Sequence, residues 1–291
     1  MSETRNMNRR GFLAMAGVGV VASGFSSLAG ASETRVPDPD FGLKLGVASY
    51  SLRAFPLLDA LKMTKELGVR YITLKDIHLP MNSTPEQRKE AAKAVREAGL
   101  TLAGCGVIYL KNEEKQIRDA FEYVRDTGAP VMVAAPDLEA LPTIEKMVKE
   151  FDIRVAIHNH GPGDKRYPSA LDAYRLVESL DKRMGVCIDV GHTVRLGEKE
   201  LEVIEKVKDR LYDFHIKDMT LREAKGSAVE VGRGVVDVQG VLKALLDMKF
   251  QGHIALEYEK DEKNPMPGMR ESIEFIRKKI AANCPEPRTL P

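Results

Sequence analysis

The chain has 291 residues, with 44 Lys and Arg against 43 Asp and Glu and a formal net charge of +1. That balance excludes electrostatic recruitment to nucleic acid or to an anionic membrane surface. Three cysteines, Cys105, Cys187 and Cys284, lie far apart with no Cys-x-x-Cys pair, so no disulfide framework is legible; Cys105 and Cys187 sit in apolar runs and read as buried spacers.

The first 31 residues do not read as fold. Paired Arg9 and Arg10 precede an apolar, glycine-rich stretch to about Leu28, and Ala29-Gly-Ala31 supplies the small residues of a cleavage site. The stretch resembles a twin-arginine export signal. That resemblance implies cleavage after Ala31, a mature single domain of residues 32–291, and a periplasmic or extracellular location. A stable membrane anchor is disfavoured because Gly17, Gly19, Ser23, Gly24, Ser26 and Ser27 interrupt the apolar stretch, and no cysteine stands near the cleavage site to carry a lipid. Without residues 1–31, 41 basic and 42 acidic residues remain.

From Leu43 onward, short apolar runs alternate with helical stripes. The first strand is Leu43–Tyr50, followed by a helix with Leu57, Leu58, Leu61 and Leu67 on one face and Gly68 as its stop. Tyr71–His78 is the second strand, closed by Pro80. The next helix starts at Ser83-Thr-Pro-Glu86, a serine with glutamate three residues later and a proline suited to the first turn. Strands follow at Leu100–Val107, Pro130–Ala135 and Val155–His160, with helical stripes marked by Ile117 and Phe121, Ile144 and Val148, and Leu171 and Tyr174. Gly185–His192 is the sixth strand, with Leu201, Ile204 and Val207 behind it; Leu211–Asp218 is the seventh. A glycine-containing loop, Gly226 to Gly234, precedes a helix capped by Asp237, and His253–Tyr258 is the eighth strand before a last helix striped by Ile273, Ile276 and Ile280.

Eight buried strands alternating with eight amphipathic helices predict a single (β/α)8 TIM barrel. In that architecture functional groups gather where the strands end. Lys75 and His78, His158 and His160, Asp189 and His192, His215, Lys217 and Asp218, and Glu257 and Glu259 all fall at such ends, and five of the six histidines sort this way, only His253 starting a strand. Imidazoles and carboxylates without thiolates suit one catalytic divalent ion: manganese, zinc, cobalt or iron.

The runs Leu74–Pro80, Ile157–His160, Asp189–His192, His215–Asp218, Gly232–Asp237 and Leu256–Glu259, in this order and at these strand ends, resemble the sugar phosphate isomerase/epimerase family with the xylose-isomerase-like barrel. The resemblance implies metal ligands at His158, Asp189, His215 and Glu257, with the choice between His158 and His160 left open by the sequence, and a substrate-binding role for His192. His158 is a departure, since epimerases of the family carry glutamate there and use two opposed carboxylates. That departure puts two-base epimerisation in doubt and favours one-base chemistry.

The expected activity is therefore isomerisation or epimerisation of a small sugar or keto-sugar, by abstraction of a proton next to a carbonyl through a metal-stabilised enediolate. Glu257, His160 and Lys75 are candidates for the catalytic groups, and His78, His192, Lys217 and Glu259 for substrate binding. One alternative is a lyase or hydratase that eliminates the aglycone or water from a 3-keto-glycoside or keto-polyol. Another is a non-catalytic exported sugar-binding barrel. A relative of the barrel-type apurinic endonucleases is disfavoured by the neutral charge and by too few ligands for a multi-zinc site. A homo-oligomer is left open.

Overall fold

In the computed structural model, which describes Asp38 and residues 40–284, eight parallel strands close into a barrel. The export-signal reading lies outside the described residues. The staves are β1 (Lys44–Ala48), β2 (Tyr71–Leu74), β3 (Thr101–Leu110), β4 (Val131–Pro136), β5 (Arg154–His158), β6 (Met184–Asp189), β7 (Leu211–Ile216) and β10 (His253–Leu256). Each pairs with its sequence neighbour, and β1 pairs with β10 to close the ring. An antiparallel ribbon, β8 (Asp218–Met219) with β9 (Ala228–Val229), stands after β7.

The helices form the outer layer: α1 (Leu57–Glu66), α2 (Pro85–Glu97), α3 (Glu114–Thr127), α4 (Leu141–Phe151), α5 (Ala170–Val177), α6 (Val190–Arg195), α7 (Glu200–Val207), α8 (Val238–Asp247) and α9 (Met266–Asn283). Their stripes, such as Ile117, Phe121 and Val124 on α3 and Ile273, Ile276 and Ile280 on α9, are buried with the outward residues of the strands. Among the described residues, no helix is long and apolar enough to cross a membrane.

Three local readings need correction. The second helix is capped one residue later than expected, by Thr84, whose hydroxyl accepts from the Gln87 amide while Gln87 reaches back to the Thr84 amide, with Pro85 in the first turn. On α1 the buried face is Ala60, Leu61 and Thr64; Leu58 lies outside that arc and is 70% exposed. The sixth strand stops at Asp189. There the aspartate turns the chain by accepting the His192 amide on Oδ1 (2.9 Å), so Val190–Arg195 is an additional helix and His192 lies in its first turn, not on a strand.

Inside the barrel one apolar cluster, Val107, Val131, Val133, Ala135, Ala156 and Cys187, fills the wall of β3 to β6. The β7 and β10 side is polar: Asp213 and His253 are fully or almost fully buried, as is Thr73 on β2, whose Oγ1 lies 2.9 Å from His253 Nδ1. Gly46 makes room for this group, since a Cβ there would lie 2.5 Å from His253 Nε2 and 2.1 Å from the Tyr71 carbonyl oxygen.

Past β7, buried Asp218 turns away from the barrel mouth and organises the glycine loop. Its Oδ1 accepts from the amides of Met219 (2.9 Å) and Val236 (3.0 Å), and its Oδ2 from those of Gly232 and Gly234 (both 2.9 Å). Hydrogen bonds to a charged acceptor are individually worth about 1.5–3 kcal/mol. Asp218→Ala is accordingly expected to destabilise the chain by about 2–3 kcal/mol and to open residues 220–236 to limited proteolysis. An unchanged digestion pattern would show that the loop is held by other contacts.

Candidate functional site

At the C-terminal mouth β5, β6, β7 and the end of β10 deliver His158, Asp189, His215 and Glu257 to one point. One donor atom from each lies within 4.8 Å of the others, and all four residues are buried. His158 Nε2 stands 3.1 Å from His215 Nδ1 and 3.7 Å from Asp189 Oδ2, and His215 Nδ1 stands 3.3 Å from Glu257 Oε2. Donors about 2.1 Å from a zinc-sized ion are separated by roughly 3.0–3.4 Å along the edges of an octahedron or tetrahedron. The spacing therefore fits a shared divalent ion. Buried Asp189 Oδ2 has no aligned hydrogen bond, and a cation already stands against it, the Lys217 ammonium at 2.9 Å.

Lys217 is part of this arrangement. Two residues past His215 it points the same way, and its ammonium, 2% exposed, lies 2.9 Å from Asp189 Oδ2, 2.8 Å from Glu257 Oε2 and 3.1 Å from Glu259 Oε2. Burial opposes a charged lysine, but Asp189, Glu257 and Glu259 hold the amine protonated, well above its ordinary range. Burial also opposes the Glu257 carboxylate, yet Lys217 and His215 keep it anionic, well below the usual range. Burial pushes Asp189 upward against the same lysine. For His215, burial is outweighed by Glu257, Asp213 and Asp189, and its pKa stands at about 9; His158, buried beside His215 and His160, is driven well below the usual imidazole range.

Above the cluster a cavity of about 300 Å³ is lined by Tyr50, Lys75, Tyr109, His160, His192 and Glu259 among others. This is the lower end of the ~300–1,000 Å³ range of small-molecule sites, room for a single small molecule rather than a polymer. His160 stacks against Tyr109 at 5.8 Å between ring centroids, its Nε2 3.2 Å from the tyrosine Oη and its Nδ1 3.6 Å from Asp164. Burial lowers the pKa of His160, and lowers that of His192 to about 3. Lys75 donates to the Val107 carbonyl (2.5 Å) and lies 5.3 Å from the centre of the Tyr109 ring.

Nine of the residues expected at the mouth are thus brought together: Lys75, His158, His160, Asp189, His192, His215, Lys217, Glu257 and Glu259. His78 is not. Its ring nitrogens meet Ser49 Oγ (2.9 Å) and the Phe55 carbonyl (3.1 Å), and it lines a larger groove of about 650 Å³ against α1 and α2, outside the barrel. Among the described residues, no group of three or more His, Cys, Asp or Glu side chains comes together in that groove. Tyr50 and Tyr109 were missed, although Tyr50 follows β1 by two residues and Tyr109 is the last residue but one of β3, where the same strand-end rule points. Cys187 also lies close enough to His158 and His215 to form a second donor group, but burial drives its thiol well above the ordinary range.

Residues 56–279 match the family model described as xylose isomerase-like TIM barrel. The inosose dehydratase of Geobacillus thermodenitrificans is 27% identical over 213 residues, 66% of this chain and 70% of that protein. Among solved structures, an uncharacterised protein of Parabacteroides distasonis is 26% identical with a TM-score of 0.64, covering 81% of this chain and 99% of the other. The 3-keto-D-glucoside 4-epimerase of E. coli is 18% identical with a TM-score of 0.66 over the same shares, a likeness of fold. With the closed eight-stranded barrel and the family match over most of its length, the chain belongs to the xylose isomerase-like TIM barrel family.

Proposed function

We propose that the chain is a divalent-metal-dependent lyase that removes a proton next to the carbonyl of a small keto-sugar or keto-polyol and eliminates water or an aglycone from the adjacent carbon. The observation that carries this reading is the pairing of a buried four-donor cluster with an unligated imidazole, His160, that lines the cavity above it between Tyr109 and Asp164. His158, Asp189, His215 and Glu257 would hold the ion. When bound, the ion would polarise the substrate carbonyl and stabilise negative charge on its oxygen.

The side chains supply the rest. Neutral His160, oriented by Asp164 near Nδ1, takes the proton from the carbon next to the carbonyl on Nε2, where the substrate replaces Tyr109 Oη. The C–H electron pair becomes the new C=C bond, the C–O bond to the leaving group breaks, and the imidazolium returns its proton to the departing oxygen. Lys75, His192 and Glu259 bind hydroxyls around the ring, and the face of Tyr109 packs against it. Similarity to an inosose dehydratase supports the elimination reading. A non-phosphorylated substrate is supported by the glycine loop, where Asp218 takes the Gly232 and Gly234 amides that a phosphate would need.

Glu259 keeps a second reading alive, because this partly exposed carboxylate lines the same cavity and is a second acid–base group for isomerisation or epimerisation. Export across the inner membrane rests on Arg9-Arg10 and the apolar stretch behind them, and cell fractionation tests it.

The test is incubation of the zinc- or manganese-loaded protein with keto-glycosides and keto-polyols in deuterated water. Elimination yields a conjugated enone absorbing in the ultraviolet, whereas isomerisation yields deuterated sugar without it. His160→Asn is expected to lose roughly 10²–10⁴-fold in either reaction while binding metal like the parent. Full activity in that variant would remove His160 as the base.

A further inference from the structure

We propose that Asp213 is a positioning residue that fixes the ring of His215 as a metal ligand. The inference rests on the cluster of His158, Asp189, His215 and Glu257 being the metal site. On β7, residues 213, 215 and 217 point to the same side. His215 presents Nδ1 to His158 Nε2 at 3.1 Å and to Glu257 Oε2 at 3.3 Å. An imidazole that gives the Nδ1 lone pair to an ion must carry its proton on Nε2. That atom is buried, has no aligned hydrogen-bond partner, and lies 3.5 Å from Asp213 Oδ1.

Asp213 is fully buried in a barrel interior that aliphatic side chains ordinarily fill. Burying a carboxylate there is costly unless it has work to do. Its other side-chain neighbours are weak partners: Cys187 Sγ at 3.5 Å, and His253 Nδ1 at 3.9 Å, which is already engaged with Thr73 at 2.9 Å. The donor set explains the need. Two of the four donors would be neutral imidazoles once an ion is bound, and a carboxylate behind one of them fixes its tautomer and raises its donor strength.

The experiment measures zinc affinity by competition with a chromophoric chelator for the parent, Asp213→Asn and His253→Gln, together with the visible spectrum of each protein loaded with cobalt(II). Asp213→Asn is expected to bind zinc about 10–100-fold more weakly and to shift the cobalt bands, while His253→Gln, which removes a ring that contacts no ligand of the cluster, keeps the parent's zinc affinity and cobalt spectrum. Zinc affinity and cobalt spectrum unchanged in Asp213→Asn would overturn the role.

If Asp213→Asn does not fold, the parent decides the matter. In the zinc-loaded protein, ¹⁵N NMR should show His215 protonated on Nε2 with a slowly exchanging proton; a proton on Nδ1 would overturn it. A parent chain that takes up no zinc overturns the site reading, and this role falls with it.

Discussion

Asp189→Asn is expected to leave a folded protein that no longer holds a metal and turns over at least about 10³-fold more slowly, the scale of losing the ion's charge stabilisation. The substitution is close to isosteric, so it separates the two jobs of the residue. As the cap of α6, Asp189 needs only an oxygen to accept the His192 amide, and asparagine caps a helix about as well as aspartate. Its main-chain amide, which donates to Asn159 Oδ1 at 2.8 Å, is untouched. As a donor to a cation it needs the anion, and its Oδ2 is the atom that His158 and Lys217 approach. Metal content measured on the purified variant, with circular dichroism to confirm the fold, checks the expectation. A metal-loaded and active variant would sink the site assignment. An inactive parent that nonetheless binds metal and sugars would favour the non-catalytic binding barrel.

The barrel and its mouth were legible in the sequence because both follow from period and position. A run such as Met184–Asp189, apolar until its last residue, cannot be a surface element, and a buried strand must place its terminal aspartate where something compensates the charge. His78 satisfied the same pattern and misled, because β2 stops at Leu74 and the chain then turns, placing the ring between Ser49 and Phe55. Sequence spacing does not say where a strand stops pairing. His192 shows the same weakness in milder form, reaching the mouth from a helix that Asp189 itself nucleates. Asp213 and His253 were illegible for a different reason. They lie below the strand ends, and only the cross-strand register that sets His253 opposite Asp213 shows that they share a layer beneath His215.

Lys217→Met is expected to destabilise the metal-free protein by about 3–5 kcal/mol, the cost of stripping a buried carboxylate of its partner. The ammonium is the counter-charge nearest to Asp189 and Glu257, within 2.9 Å of both, and Glu257 keeps only His215 without it. At roughly 2–4 °C per kcal/mol for a domain of this size, the thermal midpoint should fall by about 6–20 °C. The lost charge is one that a divalent cation can replace, because Lys217 and the ion would address the same two oxygens. Saturating zinc should therefore stabilise Lys217→Met more than the parent, where ligand at 100 times Kd contributes about 2.7 kcal/mol. Thermal melts of both proteins with chelator and with zinc read this directly. A variant as stable as the parent under chelator would mean that the two carboxylates do not depend on the lysine for charge. Equal zinc shifts in the two proteins would mean that the ammonium and the cation do not compete, and would leave Lys217 free to act on substrate alone.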